Sequence, residues 1–343
     1  MYSESDLDDA VAAGAISRDA ARALRNHVAR SHAAPAVDEE HFRLLSGFND
    51  IFVAIAVGLV LVALAWIGQS ITTPLAGALV AIAAWGLAEY FTRQRRMALP
   101  SILLLIAFVG GVAATLVGVL VEIDPDLSDR TNAVIGASIA LVTAGAAWLH
   151  WKRFMVPITV AAGAAALVAV AVGLTVAAIP AARDAIYPIL FAGGLAVFAL
   201  AMWWDVSDRE RRTRRSDVAF WLHLAAAPLI AHPVFHMLGV FNETIALNLA
   251  AIVLALYLVF AFVALAVDRR ALLVSSLAYV LYAMYVLFYR AGAVELAWAF
   301  TALAIGSTLL TLSAFWHPMR RLVVGTLGNL SERLPPVGSM SAA

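Results

Sequence analysis

Ten separate runs of roughly twenty apolar residues limit what this chain can fold into, because a run of that length matches the hydrocarbon core of a bilayer. They fall at Ile51–Gly68, Thr72–Thr92, Pro100–Val121, Ala133–His150, Met155–Ala178, Ile186–Trp204, Val218–Val240, Ile245–Val267, Ala271–Tyr289 and Val294–Trp316. A soluble domain would carry about 25% charged residues; this chain of 343 residues carries 13%, with 63% hydrophobic. The expected fold class is all-α: a polytopic membrane helix bundle of about ten transmembrane helices. The predicted boundaries are a cytoplasmic helical hairpin over 1–35, an amphipathic interfacial helix over 36–49, a ten-helix transmembrane domain over 50–316 and a cytoplasmic amphipathic tail over 317–343. The first apolar run starts too late and runs too long for a signal h-region, so it is expected to be an uncleaved anchor.

The connecting loops sort by charge. Alternate loops read RQRR (93–96), WKR (151–153), DVSDRERRTRRSD (205–217) and DRR (268–270), with HPMRR (317–321) after the last run. The intervening loops read QSI, EIDPDLSDR, IPAARDA, FNET and RAGA, and of the 23 basic residues they hold only Arg130, Arg183 and Arg290. Short arginine-rich loops stay cytoplasmic, which predicts an even number of spans with an N-in/C-in arrangement. One lysine among 23 basic residues suits a GC-rich genome. Formal net charge is zero and cysteine is absent. No nucleic-acid partner is therefore expected, and disulfides, thiolate metal sites and iron–sulfur clusters are excluded.

Two segments, RRMALPSIL (95–103) and KRFMVPITV (152–160), place an arginine four residues before a proline. Arginines recur near the cytoplasmic turns at a period that fits either a duplicated two-helix unit or hairpins obeying the charge rule. Ten spans also divide into two five-span halves of opposite sense, the parity of inverted-repeat transporters. Small residues recur four apart at Gly110, Ala114 and Gly118, at Gly136, Ala140 and Ala144, and at Ala165, Ala169 and Gly173. They are expected to pack helices within the bundle.

The N-terminal LDDAVAAGAISRDAARALRNHVA reads helix, turn, helix, with Gly14 ending the first helix and Ser17 capping the second. VDEEHFRLLSGFN suits an interfacial amphipathic helix with His41, Leu44, Leu45 and Phe48 on one face. In the tail, Leu322, Val323, Leu327 and Leu330 are expected to dip into the headgroup layer. The hairpin at residues 7–24, a short linker and the start of the first span resemble the bacterial predicted membrane proteins grouped as the DUF2157 family. The resemblance implies a multi-pass inner-membrane protein, and no activity, cofactor or site residue.

Ionisable side chains inside spans are costly and mark functional candidates. Glu89 is one turn from Arg93 and is expected to pair with it; Asp205 and Asp268 close spans beside arginines and read as interface pairs. The seventh span holds His223, His232 and His236. His232 and His236 share a helix face at i,i+4, a spacing that supplies two ligands to one zinc; Glu243 falls on that face if the helix runs so far. The candidate metal residues are thus His232, His236 and Glu243, with Glu122, Asp124 and Glu295 as further possible donors. The HxxxH spacing resembles that of membrane zinc hydrolases of the ceramidase and adiponectin-receptor type, whose additional ligands are not recognisable here. Pro233 and Pro228 are expected to break this helix, freeing carbonyls to which a histidine can donate. A polar cavity lined by His223, His232, His236, Asn248, Ser275 and Ser276 is the competing reading.

The first functional expectation is a transporter-like or channel-like role for a small molecule or lipid, with the broken seventh helix as its pointer. The second is a non-enzymatic structural or regulatory membrane protein binding a cytoplasmic partner through its N-terminal hairpin. The third is a metal-dependent membrane hydrolase. The partner expected throughout is the lipid bilayer, and no cofactor is expected.

Overall fold

The computed structural model describes residues 10–31, 48–123, 126–208, 211, 213–240, 247–292 and 295–335, in two compact units, 1–44 and 45–343. In the first, Gly14 adopts φ +71° and a helix follows at Arg18–Ser31. The Ala20 amide donates to Ser17 Oγ at 3.1 Å, the cap the sequence predicts. Most of the preceding helix and of the interfacial helix over 36–49 lies outside the described residues.

The second unit carries helices α1 Phe48–Ile71, α2 Thr73–Ala88, α3 Ala98–Ile123, α4 Asp129–Phe154, α5 Ile158–Ala178, α6 Ile186–Ser207, α7 Arg214–Met237, α8 Leu247–Val267, α9 Ala271–Arg290, α10 Ala297–Ala314 and a shorter α11 Trp316–Thr326. Among the described residues ten helices are long and apolar enough to cross a membrane, and none forms a strand. These are α1 to α10, with α2 continued by a π-helical turn at Glu89–Gln94. Several begin before the apolar run does, because polar residues satisfy their first amides. Ser128 Oγ accepts from Thr131 N at 3.2 Å to start α4. Asp50 accepts from the Ala98 amide of α3 at 3.3 Å, and Glu122 from the Thr73 amide of α2 at 3.1 Å.

The outside of the bundle is apolar. Phe52, Leu59, Trp66, Ile82, Leu258, Leu303 and Leu310 are all exposed, which a hydrocarbon solvent satisfies and water does not. Inside, small residues set the approach of the helices. A Cβ on Gly77 would meet Thr115 N at 2.4 Å and Gly111 O at 2.6 Å, so α2 and α3 touch backbone to backbone. Gly118 lies as tightly on Pro74, and Gly173 on Ala137. Of the glycines in the expected stripes only these last two press on a neighbouring helix: a Cβ on Gly110 or Gly136 would meet nothing within 4 Å. The tight face of α3 is the one through Gly111 and Gly118.

The buried apolar residues form two cores. One is built on α1–α4, around Val57, Leu61, Ala84, Leu104 and Leu105. The other runs from α5 to α11 around Leu222, Phe235, Val253 and Val280. The clusters lie on either side of the α4–α5 hairpin, whose two helices nonetheless pack closely on one another. More than half of α7 is buried, the largest share of any span; it packs against α5, α6 and α9.

The two ends of the bundle turn differently. At the arginine-rich end the turns after α2, α4, α6 and α8 pass through Arg96, Met155, Arg211 and Asp268, with φ between 53° and 62°. At the other end Gly239 and Gly292 take that region. A residue with a Cβ is strained there by about 1–2 kcal/mol, so the arginine-rich turns need contacts that hold them.

Candidate functional site

The histidine pair on α7 comes out as a single face, as its spacing predicts, but on an unbroken helix. The backbone stays helical from Arg214 to Met237, through Pro228 and Pro233. Pro233 has no N–H for the Leu229 carbonyl. That carbonyl faces α6 instead, where a Cβ on Gly194 would meet it at 2.8 Å. The expected break is absent because close packing on Gly194 holds the helix in line.

The exposed His232 Nδ1 lies 2.8 Å from the Tyr279 hydroxyl of α9. The His236 ring stacks on Tyr187 of α6, with centroids 3.5 Å apart and planes 16° apart. Tyr279 in turn stacks on the fully buried Phe235 at 4.2 Å. The two imidazole centroids are 6.3 Å apart. Among the described residues no group of three His, Cys, Asp or Glu side chains is placed to hold a metal ion. Glu243 and Asp124 lie outside the described residues. Glu122 caps α2, and Glu295 is exposed ahead of α10.

The six cavity candidates do not converge. His223 is nine residues from His232, about 14 Å along the helix at 1.5 Å per residue, and sits on the buried face. Asn248 is exposed at the start of α8, its Oδ1 accepting from the Leu249 amide at 3.0 Å. Ser275 and Ser276 lie near the start of α9, at the other end of the α8–α9 hairpin. Ser276 is fully buried and donates back to the Leu272 carbonyl at 2.7 Å.

The strongest polar arrangement is at the arginine-rich end, where His223 meets two groups the sequence reading placed at the interface. His223 Nε2 lies 2.8 Å from Asp205 Oδ2. The Arg269 guanidinium grips the same carboxylate from the α8–α9 turn, Nη2 to Oδ1 at 2.6 Å and Nε to Oδ2 at 3.3 Å. All three side chains are buried, Asp205 to 1% exposure. Arg269 also donates to the Ser216 carbonyl at 3.3 Å and lies over the Phe220 ring. The Phe198 ring meets the His223 ring edge-on, with centroids 5.1 Å apart.

Asp268, next in the chain to Arg269, anchors a second set of partners. Its Oδ1 accepts from Trp316 Nε1 at 2.8 Å, and its Oδ2 from Arg211 Nη1 at 2.9 Å. Arg320 Nε is 3.4 Å from Oδ1, close enough for an ion pair, while its Nη2 donates to the Pro335 carbonyl at 2.6 Å. Trp316 and Arg320 are 2% exposed, so this face of α11 docks on the bundle. Leu322 remains exposed, as the amphipathic reading of the tail expects. Trp66, Trp148 and Trp203, also near span ends, are exposed, whereas Trp316 is not.

A simpler pair occurs in the N-terminal half. Glu89 pairs with Arg93 at 3.3 Å as expected, and more closely with Arg153, Nε to Oε1 at 2.7 Å and Nη2 to Oε2 at 2.9 Å. These groups are partly exposed, where ion pairs contribute little.

No family model, curated protein or solved structure matches this chain.

Proposed function

We propose that the chain is a multi-pass bacterial inner-membrane protein with both termini on the cytoplasmic side and a transporter-like role for a small molecule. The charge distribution supports the orientation: the clustered arginines sit at one end of the bundle, and such loops are retained in the cytoplasm. The resemblance to DUF2157 membrane proteins supports the class and adds no activity. The observation that carries the transport reading is the Asp205–His223–Arg269 cluster, three ionisable side chains buried together at the end of the most buried span. Such groups are expensive inside a membrane bundle and mark substrate or ion pathways.

The test uses the full chain in liposomes loaded with a pH-sensitive dye, under an imposed potassium diffusion potential. The vesicles are challenged in turn with amino acids, sugars, nucleobases and organic acids. Protein-dependent flux of at least one class, lost in Asp205→Asn, is expected. No flux beyond that of empty vesicles for any class refutes the reading.

A second reading, a structural or regulatory membrane protein recruiting a cytoplasmic partner through residues 1–35, is favoured by one observation. The seventh span is continuous, unlike the interrupted helices of many transporters. On this reading, deleting residues 1–35 abolishes the phenotype while Asp205→Asn is silent.

A further inference from the structure

The arrangement of α1, α2 and α3 recurs in α5, α6 and α7. α2 packs most closely on α3, and α6 on α7; α1 also touches α3, as α5 touches α7. The buried face of α3 begins with positions 100, 101, 104, 105, 108 and 109. That of α7 begins with 218, 219, 222, 223, 226 and 227, the same spacing throughout. On α2 the buried Gly77, Ala84 and Ala88 correspond in spacing to Gly194, Ala201 and Asp205 on α6. Gly77 presses on the backbone of α3 as Gly194 presses on that of α7. Finally, the two-pronged carboxylate–arginine pairs Glu89–Arg153 and Asp205–Arg269 both span 64 residues and use the same guanidinium nitrogens.

Aligning the two copies by the spacing of their buried positions gives the pair an unexpected counterpart. His223 stands where α3 has Leu105, and Asp205 stands where α2 has Ala88. In the first copy the carboxylate is one position further on, at Glu89, off the buried face and partly exposed. The same buried positions therefore carry two apolar side chains in one copy and an ionisable pair in the other.

We propose that α1–α3 and α5–α7 are two copies of one three-helix unit, each followed by a helix whose end supplies the pairing arginine, and that Asp205 with His223 is a proton-binding site installed in the second copy at a packing contact and dispensable to the fold. The neutral His223 ring donates Nε2–H to Asp205 Oδ2 and takes up its second proton at Nδ1, becoming an imidazolium beside the carboxylate. The charged groups facing the pair are Arg269 and, further out, Arg211. Asp217 on α7 lies within reach of Arg269, Arg214 and Asp208. α5 brings no ionisable side chain, and Tyr279 of α9 bonds to His232 instead. This names the proton as the coupling ion of the transport proposed above and rests on that reading for its use; the site itself is tested separately.

The first experiment measures ring-nitrogen chemical shifts of the full chain, labelled at histidine and held in lipid vesicles, with His223 assigned by the signal lost in His223→Leu. A protonation step of this ring between about pH 4 and 9 is expected. A ring that keeps one protonation state across that interval overturns the proton site. The second compares thermal unfolding in detergent of Asp205→Ala with that of the triple variant Asp205→Ala, His223→Leu, Arg269→Leu. The single change, which strands a buried guanidinium, is expected to lower the midpoint well below that of the triple, which restores the apolar contact of the first copy. A triple variant at least as unstable as the single overturns the claim that the pair is dispensable to the fold. A proton step and a stable triple variant with no vesicle flux would remove the transport reading and leave the site standing.

Discussion

Asp268 offers the sharpest test of how the arginine-rich end is held. Alanine at this position would remove the acceptor of the buried Trp316 Nε1–H and the counter-charge of Arg211 and Arg320. Removing one partner of a buried ion pair costs about 3–5 kcal/mol. Arg211 is 19% exposed and recovers part of its loss by reaching water, so the lower end applies to it. The backbone adds a further effect, since Asp268 sits at φ 62°, where alanine is strained by about 1–2 kcal/mol and asparagine is not. We expect Asp268→Ala to be destabilised by roughly 4–6 kcal/mol, and Asp268→Asn by clearly less, because it keeps the indole acceptor and the left-handed turn. The assay is thermal unfolding in detergent, together with Trp316 emission in a background where the exposed tryptophans are replaced by phenylalanine. Undocking of α11 moves that emission to longer wavelength in Asp268→Ala only. Equal stability of the alanine and asparagine variants would refute the backbone part. An unshifted emission with a wild-type midpoint would refute the latch altogether.

Three further outcomes follow from the geometry. Glu89→Gln should change stability by less than about 1 kcal/mol, as expected of a partly exposed pair, and a larger loss in chemical unfolding would show that the α2 pair is as critical as the α6 pair. Gly77→Leu should fail to assemble or melt far below wild type, since its Cβ alone would enter the α3 backbone, whereas Gly110→Ala and Gly136→Ala should melt like wild type; a stable Gly77→Leu protein contradicts the close approach. His232→Phe and Tyr279→Phe should each cost about 1 kcal/mol, the size of one hydrogen bond, and the double variant no more than either alone. Additive losses would mean that the two groups do not act as a pair.

The ten spans were readable because length and apolar content alone decide them, and the Ser17 cap because its signal is local. The continuity of α7 was not: Pro228 and Pro233 argue for a break, and only Gly194 on another helix lets the strained segment pack straight. Nine residues on a helix put His223 on the face opposite His232, and it is the histidine of the three on α7 that is buried. The sequence left Asp205 at an interface because nothing within one turn identifies its partners; Arg269 is 64 residues away and arrives only when the α8–α9 turn folds against the end of α6. Tyr187 and Tyr279, which occupy the two outer histidines, are likewise contributed by other helices. The signal available in advance was an acidic residue at a span end on the same side of the membrane as the buried-face histidine of the next span.

The spacing of the clasps bears on how the chain is made. Asp205 is synthesised 64 residues before Arg269, and Arg211 leads Asp268 by 57. At translation speeds of about 5–20 residues per second, the first interval lasts about 3–13 s. During that time the nascent chain holds a carboxylate at the end of its sixth span with no arginine from the α8–α9 turn to receive it. His223 follows only 18 residues behind. The histidine thus reaches the ribosome exit well ahead of the guanidinium and stands first in line to chaperone the carboxylate into the bilayer.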